Sequence, residues 1–154
     1  IPRTNVCNVF DENYEFDFCK AKVLEDGEDV TVITNGETLA EVIEAAQTLK
    51  QQGYSVQIIH VPVVKPLDGA TIIEHVKKTK FVMTVENHSI IGGLGSAVCE
   101  LLAEYYPVPV HRIGVNDTFG QSGKWEQLLD YYGLTSDKLA ISIKRYIDKY
   151  RLVK

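Results

Sequence analysis

The chain has 154 residues and a mass of 17.3 kDa, enough for one well-packed core and too few for two ordinary domains. Its 45% hydrophobic and 24% charged residues are those of a soluble globular protein, and a formal net charge of −5 with a pI of about 5.4 leaves no basic footprint for nucleic acid or anionic lipid. No apolar run approaches the roughly 20 residues of a membrane span, and Cys7, Cys19 and Cys99, odd in number and without C-x-x-C spacing, read as free thiols of a reducing compartment, the cytoplasm.

The opening Ile1-Pro2-Arg3 has no initiator Met and neither a signal-peptide nor a lipidation pattern, so the chain reads as a processed or truncated piece. Residues 1–9 show no period, and residues 10–18 alternate aromatic and acidic groups loosely, as an extended arm lying on a surface would. The arm thus takes residues 1–18 and the folded domain residues 19–154. Residues 20–24 (KAKVL) are a weak strand, and residues 30–33 (VTVI) a strong one. The connection between them, Glu-Asp-Gly-Glu-Asp, is too short for a parallel return, so the two strands run in opposite directions.

From Thr34 onward strands and helices alternate. Thr34 or Asn35 offers a cap with Glu37 following, and Leu39, Val42, Ile43, Ala46 and Leu49 repeat at helical spacing until Gly53. Residues 55–61 (SVQIIHV) form the next strand. Asp68 caps a short helix carrying Ile72, Ile73 and Val76, with Lys77, Lys78 and Lys80 at its negative end. Residues 81–85 (FVMTV) predict a buried strand that turns at Glu86-Asn87-His88 and passes through three glycines. There follows a helix with Leu94, Ala97, Val98, Leu101, Leu102 and Tyr105 on one face, stopped by Pro107. Residues 108–115 give a fifth strand, Ser122 opens a helix that Gly133 ends, and a last helix from Ser136 buries Leu139, Ile143, Tyr146, Ile147 and Tyr150.

This order predicts an α/β fold of three layers, α/β/α, around a five-stranded, mostly parallel sheet whose first strand is antiparallel at an edge. If the strand order reverses about residues 30–33, the ends of that strand and of the strand over residues 81–85 share one crevice. Such a topological switch point is where ligands or partner surfaces meet open α/β sheets.

Several residue patterns at this crevice carry chemistry. Gly92, Gly93 and Gly95 open a helix whose free N–H groups and positive dipole end suit a phosphate or carboxylate; the same glycines equally serve close helix packing or a subunit contact. The full G-x-G-x-x-G spacing is missing, and Gly120-Gln121-Ser122-Gly123-Lys124 is too short for a P-loop. Glu86 and His88, two apart, suit a carboxylate orienting an imidazole, although no second ligand cluster supports a metal. Asn35 and Asn87 complete the candidate anion or subunit-interface set. His60 reads as a core or interface histidine, His75 lies on the polar side of its helix, and Cys99 sits beside an apolar helix face, where burial is expected to keep it inert.

The string itself resembles a known family. DVTVITNGETLAEVIEAAQTLKQQGYSVQIIHVPVVKPLD, then VMTVENHSIIGGLGSAVCELLAE, then VNDTFGQSGKWEQLLDYYGL are similar, in order and at family spacing, to the C-terminal domain of transketolases, above all those encoded as two shorter chains. Related C-terminal domains occur in 1-deoxyxylulose-5-phosphate synthase and in the beta subunits of 2-oxoacid dehydrogenases. The resemblance implies an enzyme that moves a two-carbon ketol unit between sugar phosphates in the pentose phosphate pathway. In that family thiamine diphosphate and Mg²⁺ are bound between a pyrophosphate and a pyrimidine domain, neither of which is in this chain. The C-terminal domain mainly supports a dimer, so the isolated chain is expected to be inactive. Residues 1–5 resemble the end of the pyrimidine domain, where an arginine at the place of Arg3 clamps the substrate phosphate through its planar fork. The competing expectation is a self-standing module that binds an anionic metabolite at Asn35, Glu86, His88 and the glycines.

Overall fold

A computed structural model describes residues 8–151. The elements run β1 (Lys22–Glu25), β2 (Val30–Thr34), α1 (Thr38–Gln51), β3 (Val56–His60), α2 (Gly69–Thr79), β4 (Val82–Ser89), α3 (Leu94–Tyr105), β5 (Val110–Val115), α4 (Trp125–Tyr132) and α5 (Ser136–Arg151). The strands form one sheet in the order β1-β3-β2-β4-β5. Only β1 is antiparallel, paired with β3 through Lys22 and His60. The chain leaves β2 for β3 on one side and returns to β4 on the other, so the switch point lies between the ends of β2 and β4, as anticipated.

The alternation of side chains along the inner strands builds two cores. Val30 and Val32 of β2, Ile58 of β3, and Met83 and Val85 of β4 face a layer containing Leu39, Val42 and Leu49 of α1 and Leu139, Ile143 and Ile147 of α5. Ile33, Ile59 and Val82 face the opposite way, onto Ile72 and Val76 of α2 and Leu94, Val98 and Leu102 of α3. A sheet covered on both faces explains why β2 and β3 read as near-continuous apolar runs. The polar residues Thr31 and Gln57 within them are paired. The Gln57 amide donates to Thr31 Oγ1 (2.7 Å) and to the His75 carbonyl (3.1 Å), and His75 Nδ1 lies 2.9 Å from Gln57 Oε1. His75 is therefore half-buried on the sheet side of α2 instead of on its polar face.

Three local expectations change. Helix α1 starts at Thr38 without a side-chain cap, because Thr34 is the buried last residue of β2 and its hydroxyl meets Thr38 Oγ1 at 2.8 Å. Helix α4 starts at Trp125 instead of Ser122; the Lys124 N–H donates to Gln127 Oε1 (3.2 Å) to close its first turn. Strand β4 continues through Glu86, Asn87 and His88, read from sequence as a turn. After an irregularity beyond Val85 it pairs again, Ser89 opposite Val115. Gly114 admits this bulge: a Cβ there would stand 2.7 Å from the His88 carbonyl oxygen and 3.0 Å from that of Glu86.

Of residues 8–18, Phe10 and Tyr14 lie against the β1 side of the sheet. Phe10 stacks on Tyr14 (centroids 4.0 Å apart) and leans on His60 at 5.5 Å, with the Lys22 ammonium 4.3 Å from the Tyr14 ring. His60 is 8% exposed and its Nδ1 has no partner. Burial, and then the nearby Lys22 charge, hold its imidazole below the usual range. The folded state thus binds this proton less readily than the unfolded chain, so His60 contributes stability above its unfolded pKa that is lost as pH falls from about 6.5 toward the depressed folded value. The slope from one such group is at most about 1.4 kcal/mol per pH unit. His60→Gln is expected to flatten that part of the acid limb, read as urea midpoints at successive pH values.

Candidate functional site

At the switch point the carboxylate of Glu86, only 2% exposed, faces the start of α3. The Leu94 N–H donates to Glu86 Oε2 and the Gly95 N–H to Glu86 Oε1, both at 2.8 Å. The N-cap residue, Gly93, has no side chain to perform this task, and a carboxylate from the adjoining strand replaces it. Two charge-assisted bonds at the positive end of a helix form a strong local tie.

The glycines make that seat possible in different ways. A Cβ on Gly93 would stand 1.9 Å from Glu86 Oε2, and one on Gly95 would stand 2.7 Å from Thr84 Oγ1 and 2.9 Å from Arg112 Cδ. Gly92, at φ +80°, turns the chain into the helix where an L side chain would be strained. The Gly92 N–H donates to Ser96 Oγ (2.8 Å), which in turn donates to the Ile90 carbonyl at 3.2 Å. That carbonyl also accepts from Arg112 Nη1 at 2.6 Å. The turn is closed on itself, and the N–H groups that a bound phosphate would use at Leu94 and Gly95 already hold an anion that belongs to the chain.

Of the other predicted residues, Asn87 comes to the same rim and its amide donates to Glu37 Oε2, joining the end of β4 to the start of α1. The Asn35 carbonyl accepts from Thr38 Oγ1 (2.9 Å). His88 is exposed and its Nδ1 lies 3.1 Å from the Ser89 carbonyl oxygen. The expected pairing of Glu86 with His88 does not form, because the carboxylate is committed to α3. Arg3 and Cys7 lie outside the described residues. Cys99 is half-buried, and burial pushes its thiol up, away from nucleophilic use. Glu37, Ser96 and Arg112 escaped the sequence reading. The sequence presents Glu37 only as a capping residue, and nothing in the residues around Arg112 signals a bond to a carbonyl 22 positions earlier.

Among the described residues no group of three His, Cys, Asp or Glu could hold a metal ion. What the rim offers a partner is an exposed strip: Asn87 and His88 with Ile91, which is 57% exposed. If Glu86 is the tie of this turn, Glu86→Ala costs about 3 kcal/mol by leaving two buried N–H groups unpaired, and Glu86→Gln costs less because one acceptor survives. Gly93→Ala should approach the cost of Glu86→Ala by unseating the carboxylate. Urea denaturation of the three variants measures the ranking, and a Glu86→Ala variant as stable as the parent would refute the assignment.

The match to known proteins agrees with this architecture. The transketolase C-terminal domain family matches residues 19–139. A putative transketolase C-terminal section of Methanocaldococcus jannaschii is 42% identical over 153 residues, covering 97% of this chain and 47% of that protein. A 6-deoxy-6-sulfo-D-fructose transketolase subunit of a Clostridium species is 43% identical over 128 residues, covering 83% of this chain and 40% of that one. Among solved structures, a split-gene transketolase described as an inactive beta4 tetramer superposes with a TM-score of 0.88 at 38% identity, covering 95% of this chain and 48% of that chain. This chain spans about half the length of each of these relatives. It belongs to the transketolase C-terminal domain family.

Proposed function

We propose that this chain is the C-terminal section of a transketolase-like transferase that uses thiamine diphosphate and Mg²⁺. Its role is to support assembly while the remaining sections carry the cofactor and most of the substrate contacts. The observation that carries this reading is the seated carboxylate of Glu86, which fills the place where an α/β sheet of this kind would otherwise offer N–H groups to a ligand. A diphosphate at the start of α3 would have to displace the Glu86 carboxylate. Relatives about twice as long, among them subunits and sections of transketolases, support a division of labour between this piece and an N-terminal partner.

In the completed enzyme the reaction is transfer of a two-carbon ketol unit between sugar phosphates, as in the pentose phosphate pathway. Arg3 is the residue of this chain proposed to meet the substrate phosphate, which its planar fork can grip bidentately. The surface proposed for the homodimer includes the rim beyond β4, where Ile91 stands exposed, and Phe119, 96% exposed in the connection between β5 and α4. Both side chains follow the parallel strands β4 and β5 at the same end of the sheet, where one partner surface would cover them.

Two measurements test this reading. The chain alone, given thiamine diphosphate, Mg²⁺ and sugar phosphates, is expected to show no ketol transfer above background, and the chain joined to its N-terminal sections to turn over; activity of the isolated chain would refute the proposal. Ile91→Asp paired with Phe119→Asp should weaken self-association of the complete enzyme at least about tenfold in sedimentation experiments, and an unchanged association constant would place the interface elsewhere.

A further inference from the structure

Two cations without a carboxylate partner among the described residues stand together at the β5 edge of the sheet. Helix α5 carries Ser142, Arg145 and Lys149 at spacings of three and four, which align them on one face. That face looks across a groove of about 560 Å³ to His111 on the edge strand β5, with Tyr146 and Tyr150 in its wall. No carboxylate lines this groove. Among the described residues neither Arg145 nor Lys149 joins an ion pair, whereas Lys50, Lys78, Lys138 and Arg151 each lie within 4.0 Å of a carboxylate. Although the chain has 21 acidic and 16 basic residues, these two cations share a groove that no carboxylate lines, which gives it a local positive potential.

A second feature of the groove is independent of charge. Tyr146 is buried, with 7% of its surface exposed, and its ring lines the groove. The ring is fixed by a stack on His111 (centroids 5.1 Å) and by edge contacts with Phe81 and Tyr150. Burial, and next a hydrogen bond with the adjacent Tyr150, push the phenol well up, so the hydroxyl keeps its proton. His111 is exposed on β5 yet partly desolvated, and this and then the Lys149 ammonium hold its imidazole below the usual range, a repulsion that an anion between the two would relieve.

We propose that the groove between β5 and α5 binds the phosphoryl group of a small phosphorylated metabolite, held by Arg145, Lys149 and His111 with the Ser142 hydroxyl as a further donor. Guanidinium, ammonium and hydroxyl donors around one tetrahedral anion satisfy its oxygens from several sides. The groove is a bounded hollow between one strand and one helix, a shape suited to a small molecule. This site does not depend on the assembly role proposed above: it holds or fails on binding alone.

The test is equilibrium dialysis of radiolabelled inorganic pyrophosphate against the complete enzyme saturated with thiamine diphosphate. The variant Arg145→Gln/Lys149→Gln is compared with Lys78→Gln/Lys138→Gln, which removes the same charge at sites outside the groove. Both target side chains are exposed, so the substitutions leave the core intact. The expected result is a binding site, distinct from the substrate-phosphate site, that weakens at least tenfold in the groove variant and keeps its affinity in the charge-matched control. Equal weakening of both variants would reveal a general attraction to positive charge, and an unchanged groove variant would show that no such site exists; either result overturns the proposal.

Discussion

The seat of Glu86 on the first turn of α3 is the constraint from which the rest of the switch point follows. Once the carboxylate accepts from Leu94 and Gly95, the end of β4 and the start of α3 are held together across the bulge and the glycine turn that separate them. Gly93 must then lack a side chain, since the carboxylate oxygen occupies the position of its Cβ, and Gly95 must lack one to let the helix approach Thr84 and Arg112. A glycine-rich helix start, which in other α/β proteins admits a ligand's phosphate, here admits a carboxylate from the neighbouring strand. The same geometry serves a different occupant.

The legible parts of this molecule were those governed by short-range periodicity. Apolar alternation and helical spacing located all ten elements, and the short connection after Glu25 required β1 to run against its neighbour. Strand order was only conditionally legible, because it depends on which edge the chain crosses between β3 and β4. The misread segments depend on partners far away in the chain. Residues 86–88 look like a turn because Glu and Asn interrupt the apolar run, yet they stay in the strand, because Gly114 leaves room for their carbonyls and Ser89 resumes pairing with Val115. The same bulge explains why Glu86 and His88, which a regular strand would place on one face, do not meet. His75 likewise looked polar because its partner, Gln57, is 18 positions away.

Negative charge has a pattern that composition does not reveal. The acidic excess of this chain is used at helix starts. Asp68 accepts from Thr71 N–H at the start of α2 and from Ala21 N–H beside β1, Glu86 takes the start of α3, and Glu41 of α1 accepts from the Ser136 N–H (2.6 Å) that opens α5. Each bond fills a position where a helix dipole would attract an outside anion. In two of the three cases the carboxylate comes from a different element, so the caps also lock tertiary neighbours: β4 to α3 and α1 to α5.

A net charge of −5 therefore says little about where an anionic ligand would be received. The helix starts of α2, α3 and α5, where electrostatics would favour such a ligand, are internally neutralised. On the face of α5 that turns toward β5, Arg145 and Lys149 lie among aromatic rings in a groove that no carboxylate lines. The two ends of one helix surface are thus treated in opposite ways. The start of α5 is closed by Glu41, and its later turns leave positive charge facing the groove. Local imbalance of this kind, and not the sign of the whole chain, locates the surface most receptive to an anion.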